Sequence, residues 1–423
     1  MNAALRKLQP SLRCRPAFFN KRPIGSTSQV TRSLPSLVRH TDQQQRLQLR
    51  TTTAIPPSPS SVISQQSRTT SAIEASPSDV YSTERCLPQL PTWTPPTKGI
   101  LSLLPPSLVP YAELSRIEKP GGLYSFYMAY VIGLTYGVCL VTIAPTMALL
   151  TGTAGKLLIY NVFLRGAACT VNDILDRDYD RQVARCRNRP VARGAVTPSQ
   201  AYVWYGLQTL GAGAVIACLP NPLTMLAYAV PIQLVVSLYP LGKRYTDFPQ
   251  LVLSAPIAGG ILMAAASIGV DPFATPAMAA ATASLFMSHY IWTTIFDYVN
   301  ACQDTVDDIK AGVRSMAVLY QNTDAFITVM GAAQVACLIA TGLFAGFSPV
   351  YFIGAAGGNA LCLVAMVKTV KRSRPDICAW WFSWGGLLMS GTTALALLAE
   401  CVGNSEGGVD QPHVEGGRGE VEE

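Results

Sequence analysis

Charged side chains are scarce in this sequence, 13% of 423 residues against 49% that are apolar. So little charge excludes the two or three water-soluble domains that the length alone would allow. Paired cysteines are missing too: the eleven cysteines form no CxxC, and Cys139, Cys169, Cys218, Cys337 and Cys362 lie inside apolar stretches. A thiol there behaves as a small hydrophobe, so neither a disulfide framework nor a cysteine metal site is expected. Acidic residues are nearly absent from positions 1–73, where Asp42 stands alone among Arg6, Lys7, Arg13, Arg15, Lys21, Arg22, Arg32, Arg39, Arg46, Arg50 and Arg68, with abundant Ser, Thr and Gln. That is the composition of an organelle transit peptide, mitochondrial by preference; the other reading is a basic tail facing anionic lipid. The formal charge of +7 therefore reports targeting and topology, and no nucleic-acid partner is expected.

What is abundant is apolar sequence in blocks. A helix rising 1.5 Å per residue needs roughly 20 residues to cross the hydrocarbon, and about nine such blocks occur, near 122–142, 149–171, 201–219, 222–240, 250–270, 276–296, 324–346, 349–368 and 378–401. Lys and Arg are missing from alternate connections, such as Pro220-Asn221-Pro222 and Gly269-Val270-Asp271-Pro272. They fill the others: Arg177 to Arg193, Lys243-Arg244, Lys310 with Arg314, and Lys368 to Arg374. An odd number of spans with the N-terminus on the positive side satisfies the positive-inside rule, with Lys156 the one awkward charge. The expected fold is all-α: a multi-pass membrane bundle around a cavity over residues 111–402, in contact with the lipid bilayer. A Pro- and Ser-rich linker (74–110) precedes it and an acidic, Gly-rich disordered tail (403–423) follows it.

Two acidic clusters interrupt this pattern. Asn172, Asp176 and Asp180 recur every four residues and share one helical face, with Asp173 and Asp178 between them; Asp304 and Asp308 repeat the spacing after the sixth block. Both lie on the positive side. Like charges at that spacing repel, so a cation must offset them. Mg²⁺ fits best, because it takes oxygen ligands and commonly joins one or two carboxylates to substrate phosphates. A solvated surface loop is the bland alternative for either cluster alone; two with matching spacing and depth argue against it.

These residues resemble the UbiA superfamily of intramembrane prenyltransferases, whose motifs NDxxDxxxD and DxxxD read here as Asn172 to Asp180 and Asp304 to Asp308. Arg116-Ile117-Glu118-Lys119-Pro120, Leu164-Arg165-Gly166, Arg187-Asn188-Arg189-Pro190, Tyr239-Pro240-Leu241-Gly242-Lys243-Arg244 and Gly312-Val313-Arg314-Ser315 resemble further family segments in the same order. The 4-hydroxybenzoate polyprenyltransferase branch is nearest in pattern. Gly122 to Tyr127, Ala301 to Asp304 and Ser315 to Val318 look most like its fungal meroterpenoid group, while the presequence looks more like the mitochondrial ubiquinone group. Asn300 stands where a Tyr is usual, Cys186 where a Thr is usual, and Arg314 where a Lys is usual.

The resemblance implies Mg²⁺-dependent transfer of a prenyl group from a prenyl diphosphate to a phenolic aromatic acceptor. Asn172, Asp173, Asp176, Asp180, Asp304 and Asp308 are the expected metal ligands, with Asp176, Asp304 and Asp308 catalytic. Asp297, about two turns before Asp304, is the candidate to orient or deprotonate the acceptor, local pairing being the other reading. Arg116, Lys119, Arg165, Arg185, Arg189, Tyr239, Lys243, Asn300, Lys310 and Arg314 are the expected substrate-binding residues. Tyr124, Tyr127 and Tyr130 offer aromatic faces to a cation but are more simply core, and His289 is read as structural. An ion or metabolite transporter is the alternative of another class, since it too would bury carboxylates and arginines in a bundle.

Overall fold

A computed structural model of the chain describes residues 93–141 and 145–407. The expected transit segment 1–73, the first part of the expected linker and most of the expected acidic tail lie outside the described residues. Every regular element among the described residues is helical. Nine long helices follow in order: α1 Pro120–Cys139, α2 Met147–Leu175, α3 Pro198–Ala217, α4 Pro222–Tyr245, α5 Pro249–Ser267, α6 Pro276–Ala301, α7 Thr323–Ala345, α8 Pro349–Thr369 and α9 Pro375–Gly403. Seven of these open on a proline, whose missing N–H costs nothing in the first turn. Thr146, Thr197, Thr275 and Asn322 cap α2, α3, α6 and α7 by accepting a backbone N–H.

Among the described residues, seven helices are long and apolar enough to cross a membrane. α3 and α6 fall short of that, and the reason is composition: α3 carries Gln200, Trp204 and Gln208, and α6 carries His289, Thr293, Thr294, Asp297 and Asn300. The expected number of long helices is present, while seven rather than nine qualify as spans. Large apolar side chains such as Leu210, Leu223, Val329, Ile353 and Leu361 face outward, as a lipid-facing surface requires.

Successive helices alternate in direction. Tyr136 near the end of α1 meets Thr282 near the start of α6 at 2.9 Å, and Tyr205 early in α3 meets Ser237 late in α4 at 2.9 Å. Small residues let backbones approach: a Cβ on Gly133 would lie 2.3 Å from the Ile261 carbonyl oxygen, so α1 and α5 cross in direct contact. Lys156 reaches along α2 to donate to the Cys218 carbonyl at the end of α3, 2.9 Å away, which accounts for the awkward charge.

The cysteine expectation is corrected at one place. Cys139 at the end of α1 and Cys401 near the end of α9 form a disulfide across 262 residues. Local spacing carries no trace of such a pair, because it is made by packing the first helix against the last.

Candidate active site

The first motif occupies the last turns of α2 and the short helix Arg177–Asp180; Asn172, Asp173, Asp176 and Asp180 are all buried. The second begins where α6 ends: Asp304 immediately precedes the short helix Thr305–Ala311, which carries Asp308. The bundle brings the two together. Asn172, Asp176, Asp180, Asp304 and Asp308 line one cavity of about 120 Å³ with Tyr239, Lys243, Arg185, Arg189, Asp297 and Asn300.

Each motif carboxylate but one is met by a cation. Arg185 grips Asp304 with two nitrogens, Nε lying 2.9 Å from Oδ1. Lys243 pairs with Asp176 at 2.5 Å, and Arg189 donates to both oxygens of Asp180 at 3.0 and 2.9 Å. Asp173 points elsewhere, to Arg116 at 2.6 Å and Arg189 at 3.4 Å, and does not line the cavity. Asp308 makes no ion pair among the described residues; burial and the neighbouring Asp304 charge push its carboxyl up to about 7. Burial likewise pushes Asp180 up to about 6 against the pull of Arg189.

No group of three or more His, Cys, Asp or Glu among the described residues converges as a metal cage. The donors nevertheless fit a hard cation. Asp176 lines the cavity and its Oδ1 is buried with no hydrogen-bond partner, a situation that native proteins avoid unless something else satisfies the oxygen. Carboxylate and amide oxygens are the ligands that Mg²⁺ takes.

A larger cavity of about 360 Å³ adjoins the first, sharing Asn172, Arg185, Arg189, Tyr239, Asp297 and Asn300. Its apolar wall is Phe126, Leu253, Ile257, Phe296 and Phe382, the last two rings stacked 4.5 Å apart. Tyr124, Tyr127 and Tyr130 are not among its lining residues; Tyr127 donates to the Ala154 carbonyl and Tyr130 packs edge-on against Tyr160. Arg116, Lys119 and Arg165 line the polar side. Arg165 is nearly buried and donates to the carbonyls of Arg116 (2.9 Å) and Lys119 (2.7 Å). Tyr239 accepts from the Asn172 amide at 3.1 Å.

Lys310 and Arg314 line neither cavity. Lys310 lies loosely beside Asp307 at 3.9 Å, and Arg314 forks onto Asp247 at 2.8 Å. His289 lies in the interior beside Gln334, Asn359 and Ser390. Residues that sequence reasoning passed over also line the larger cavity: Trp93, Glu113, Glu118 and Arg193. Trp93 sits in the Pro-rich stretch expected to build nothing, yet it donates to Glu113 at 2.9 Å and stacks under Arg193. Its signal in the sequence is a single Trp set among Pro91, Pro95 and Pro96. Glu118 lies between the basic residues Arg116 and Lys119, where a lone acid reads as a local charge partner.

A polytopic helical membrane protein with two Asp-rich motifs facing one cavity is the class that fold and site define. Comparison with known proteins narrows it: residues 130–391 match the UbiA prenyltransferase family, and the chain belongs to that family. It is 38% identical over 290 residues to the mitochondrial 4-hydroxybenzoate polyprenyltransferase of Saccharomyces cerevisiae, covering 67% of this chain and 74% of the relative. It is 37% identical over 279 residues to the DMOA farnesyltransferase nvfB of Aspergillus novofumigatus, covering 64% and 84%. A UbiA homolog from Archaeoglobus fulgidus bound to GPP and Mg²⁺ shares the fold, with a TM-score of 0.50, 14% identity, and coverage of 69% of this chain and 99% of that one.

Proposed function

We propose that this membrane prenyltransferase moves a prenyl group such as farnesyl from its diphosphate to a ring carbon of a phenolic acid or polyketide-derived phenol, in secondary-metabolite (meroterpenoid) biosynthesis. The observation that carries the reading is the junction of the two cavities: a small one walled by carboxylates, Lys and Arg opens onto a larger one with an aromatic wall, at Asn172, Tyr239, Asp297 and Asn300. Charged head and apolar tail of one substrate match that division.

Arg185, Arg189 and Lys243 are positioned to bind diphosphate oxygens. Asn172, Asp176, Asp180, Asp304 and Asp308 would hold Mg²⁺, which when bound neutralises charge on the leaving diphosphate. Asp173, turned to Arg116, holds the approach segment instead. As the allylic C–O bond breaks, its electron pair leaves with the diphosphate oxygen. Phe296 and Phe382 face the electron-poor carbon, and the apolar wall limits its capture by water. The acceptor ring carbon forms the new C–C bond, and its proton leaves to a base, for which Asp297 at the junction is the candidate.

A second reading, the 4-hydroxybenzoate polyprenyltransferase step of ubiquinone synthesis, is favoured by the basic, acid-poor segment 1–73, which suits delivery to the mitochondrial inner membrane; the first reading suits an endomembrane. Membranes carrying the full chain are to be incubated with Mg²⁺, prenyl diphosphates of several lengths and a panel of phenolic acids, and the products identified by mass. Prenylated arene should form, stop on chelation, and be lost in Asp176→Ala and Asp304→Ala while both variants stay in the membrane. Near-normal turnover in either variant would reject the two-motif assignment. A clear preference for plain 4-hydroxybenzoate with a long-chain donor would select the second reading.

A further inference from the structure

The turn that leads into α1 is built under strain. Arg116 holds a positive φ of 54°, which is uncommon for a residue with a side chain and is maintained only where its surroundings dictate it. Those surroundings are specific. Arg116 Nη2 pairs with Asp173 and Nη1 donates to the Glu113 carbonyl at 2.9 Å. Arg165 clamps the carbonyls of Arg116 and Lys119, one on each side of Glu118. Gly122 completes the fit, because a Cβ there would lie 2.8 Å from the Arg165 guanidinium.

Beside Arg116 and Lys119, this turn presents Glu118 to the larger cavity. Among the described residues neither of its oxygens has a hydrogen-bond donor: Oε2 is buried without a partner, and Oε1 has only the Lys119 ammonium 3.9 Å away. Glu113 on the same cavity is, by contrast, fully engaged by Arg193 and Trp93. A carboxylate fixed in place by a strained, clamped turn and left short of donors at a ligand cavity is an acceptor awaiting a donor from the ligand. A diphosphate has no such donor and would be repelled. A phenolic hydroxyl has one.

We infer that Glu118 is a specificity-determining residue of the acceptor subsite, accepting a hydrogen bond from the hydroxyl of the phenolic substrate and so fixing which ring carbon faces the allylic centre. This deepens the transferase reading and rests on it for the identity of the acceptor. The test measures equilibrium binding of a hydroxybenzoic acid and of its O-methyl ether to the purified full chain, wild type against Glu118→Gln, Glu118→Ala and Glu118→Asp, beside KM for each substrate of the transfer. Wild type should bind the free phenol at least about tenfold more tightly than the ether, the scale of a hydrogen bond to a charged group. Glu118→Ala should lose that preference, Glu118→Gln should weaken it, and Glu118→Asp should restore part of it. The prenyl diphosphate KM should stay within about twofold throughout.

Equal binding of phenol and ether by wild type, or undiminished preference in Glu118→Ala, would overturn the inference. So would a rise in the diphosphate KM matching that of the acceptor. Binding does not depend on turnover, so a chain that prefers the phenol through Glu118 yet transfers nothing would retire the transferase reading and leave this one standing.

Discussion

Asp308 and Asp180 carry the site's response to pH. An isolated Asp titrates near 4; in the fold, burial raises Asp308 to about 7 and Asp180 to about 6. Between those values and 4 the native protein therefore holds more protons than the unfolded chain, so without metal its stability falls as pH rises through that window. Metal ligation needs the deprotonated forms. The Mg²⁺ concentration for half-maximal turnover should accordingly climb as pH drops from 8 to 6, and added Mg²⁺ should flatten the pH dependence of thermal stability. A Mg²⁺ requirement that stays constant over that range would show that these two carboxyls do not meet the ion.

At the scale of elements, the second motif is held by a residue from a distant connection. Arg372, between α8 and α9, uses all five of its N–H groups on neutral oxygens. Nε donates to Thr323 Oγ1 (2.9 Å), Nη1 to Thr305 Oγ1 (3.0 Å) and the Ala317 carbonyl (2.8 Å), and Nη2 to Tyr298 OH (2.9 Å) and the Tyr320 carbonyl (2.7 Å). Thr305 follows Asp304 and opens the helix bearing Asp308, so the guanidinium ties the end of α6, that helix and the start of α7 into one piece. Arg372→Ala should destabilise the protein by about 2 kcal/mol or more, and should raise the Mg²⁺ needed for half-maximal turnover at least several-fold. Arg372→Lys, which keeps the charge but loses the fork, should recover little of either. An unchanged Mg²⁺ requirement in Arg372→Ala, with a lowered melting point, would make the tie purely structural. The sequence could not disclose this role. Arg372 read as one of four basic residues marking the positive side, and its five partners lie 49 to 74 residues away.

For the whole molecule, what repeats along the chain was legible and what is made once by packing was not. Apolar blocks and alternating basic loops forecast nine long helices, and the four-residue spacing of Asn172, Asp176 and Asp180 forecast their common face. The turn at Glu118, the departure of Asp173 toward Arg116, the Phe296–Phe382 wall and the Cys139–Cys401 link all depend on contacts between helices that no local pattern encodes. The last of these bears on orientation. The C-terminal ends of α2 and α6, which carry the acidic motifs, lie on the face rich in Lys and Arg, whereas the C-terminal ends of α1 and α9, with their disulfide, lie on the other. Disulfides persist in oxidising compartments, and positive loops stay on the side of synthesis or matrix. The cavity should therefore open to the reducing side and the Cys139–Cys401 link to the oxidising one. In sealed vesicles, a membrane-impermeant maleimide should label Cys401 only after reduction, and from the face opposite to the one that labels an introduced Gln182→Cys. Labelling of both from one face, or alkylation of Cys139 and Cys401 without reductant, would break the connection between charge, disulfide and the placement of the active site.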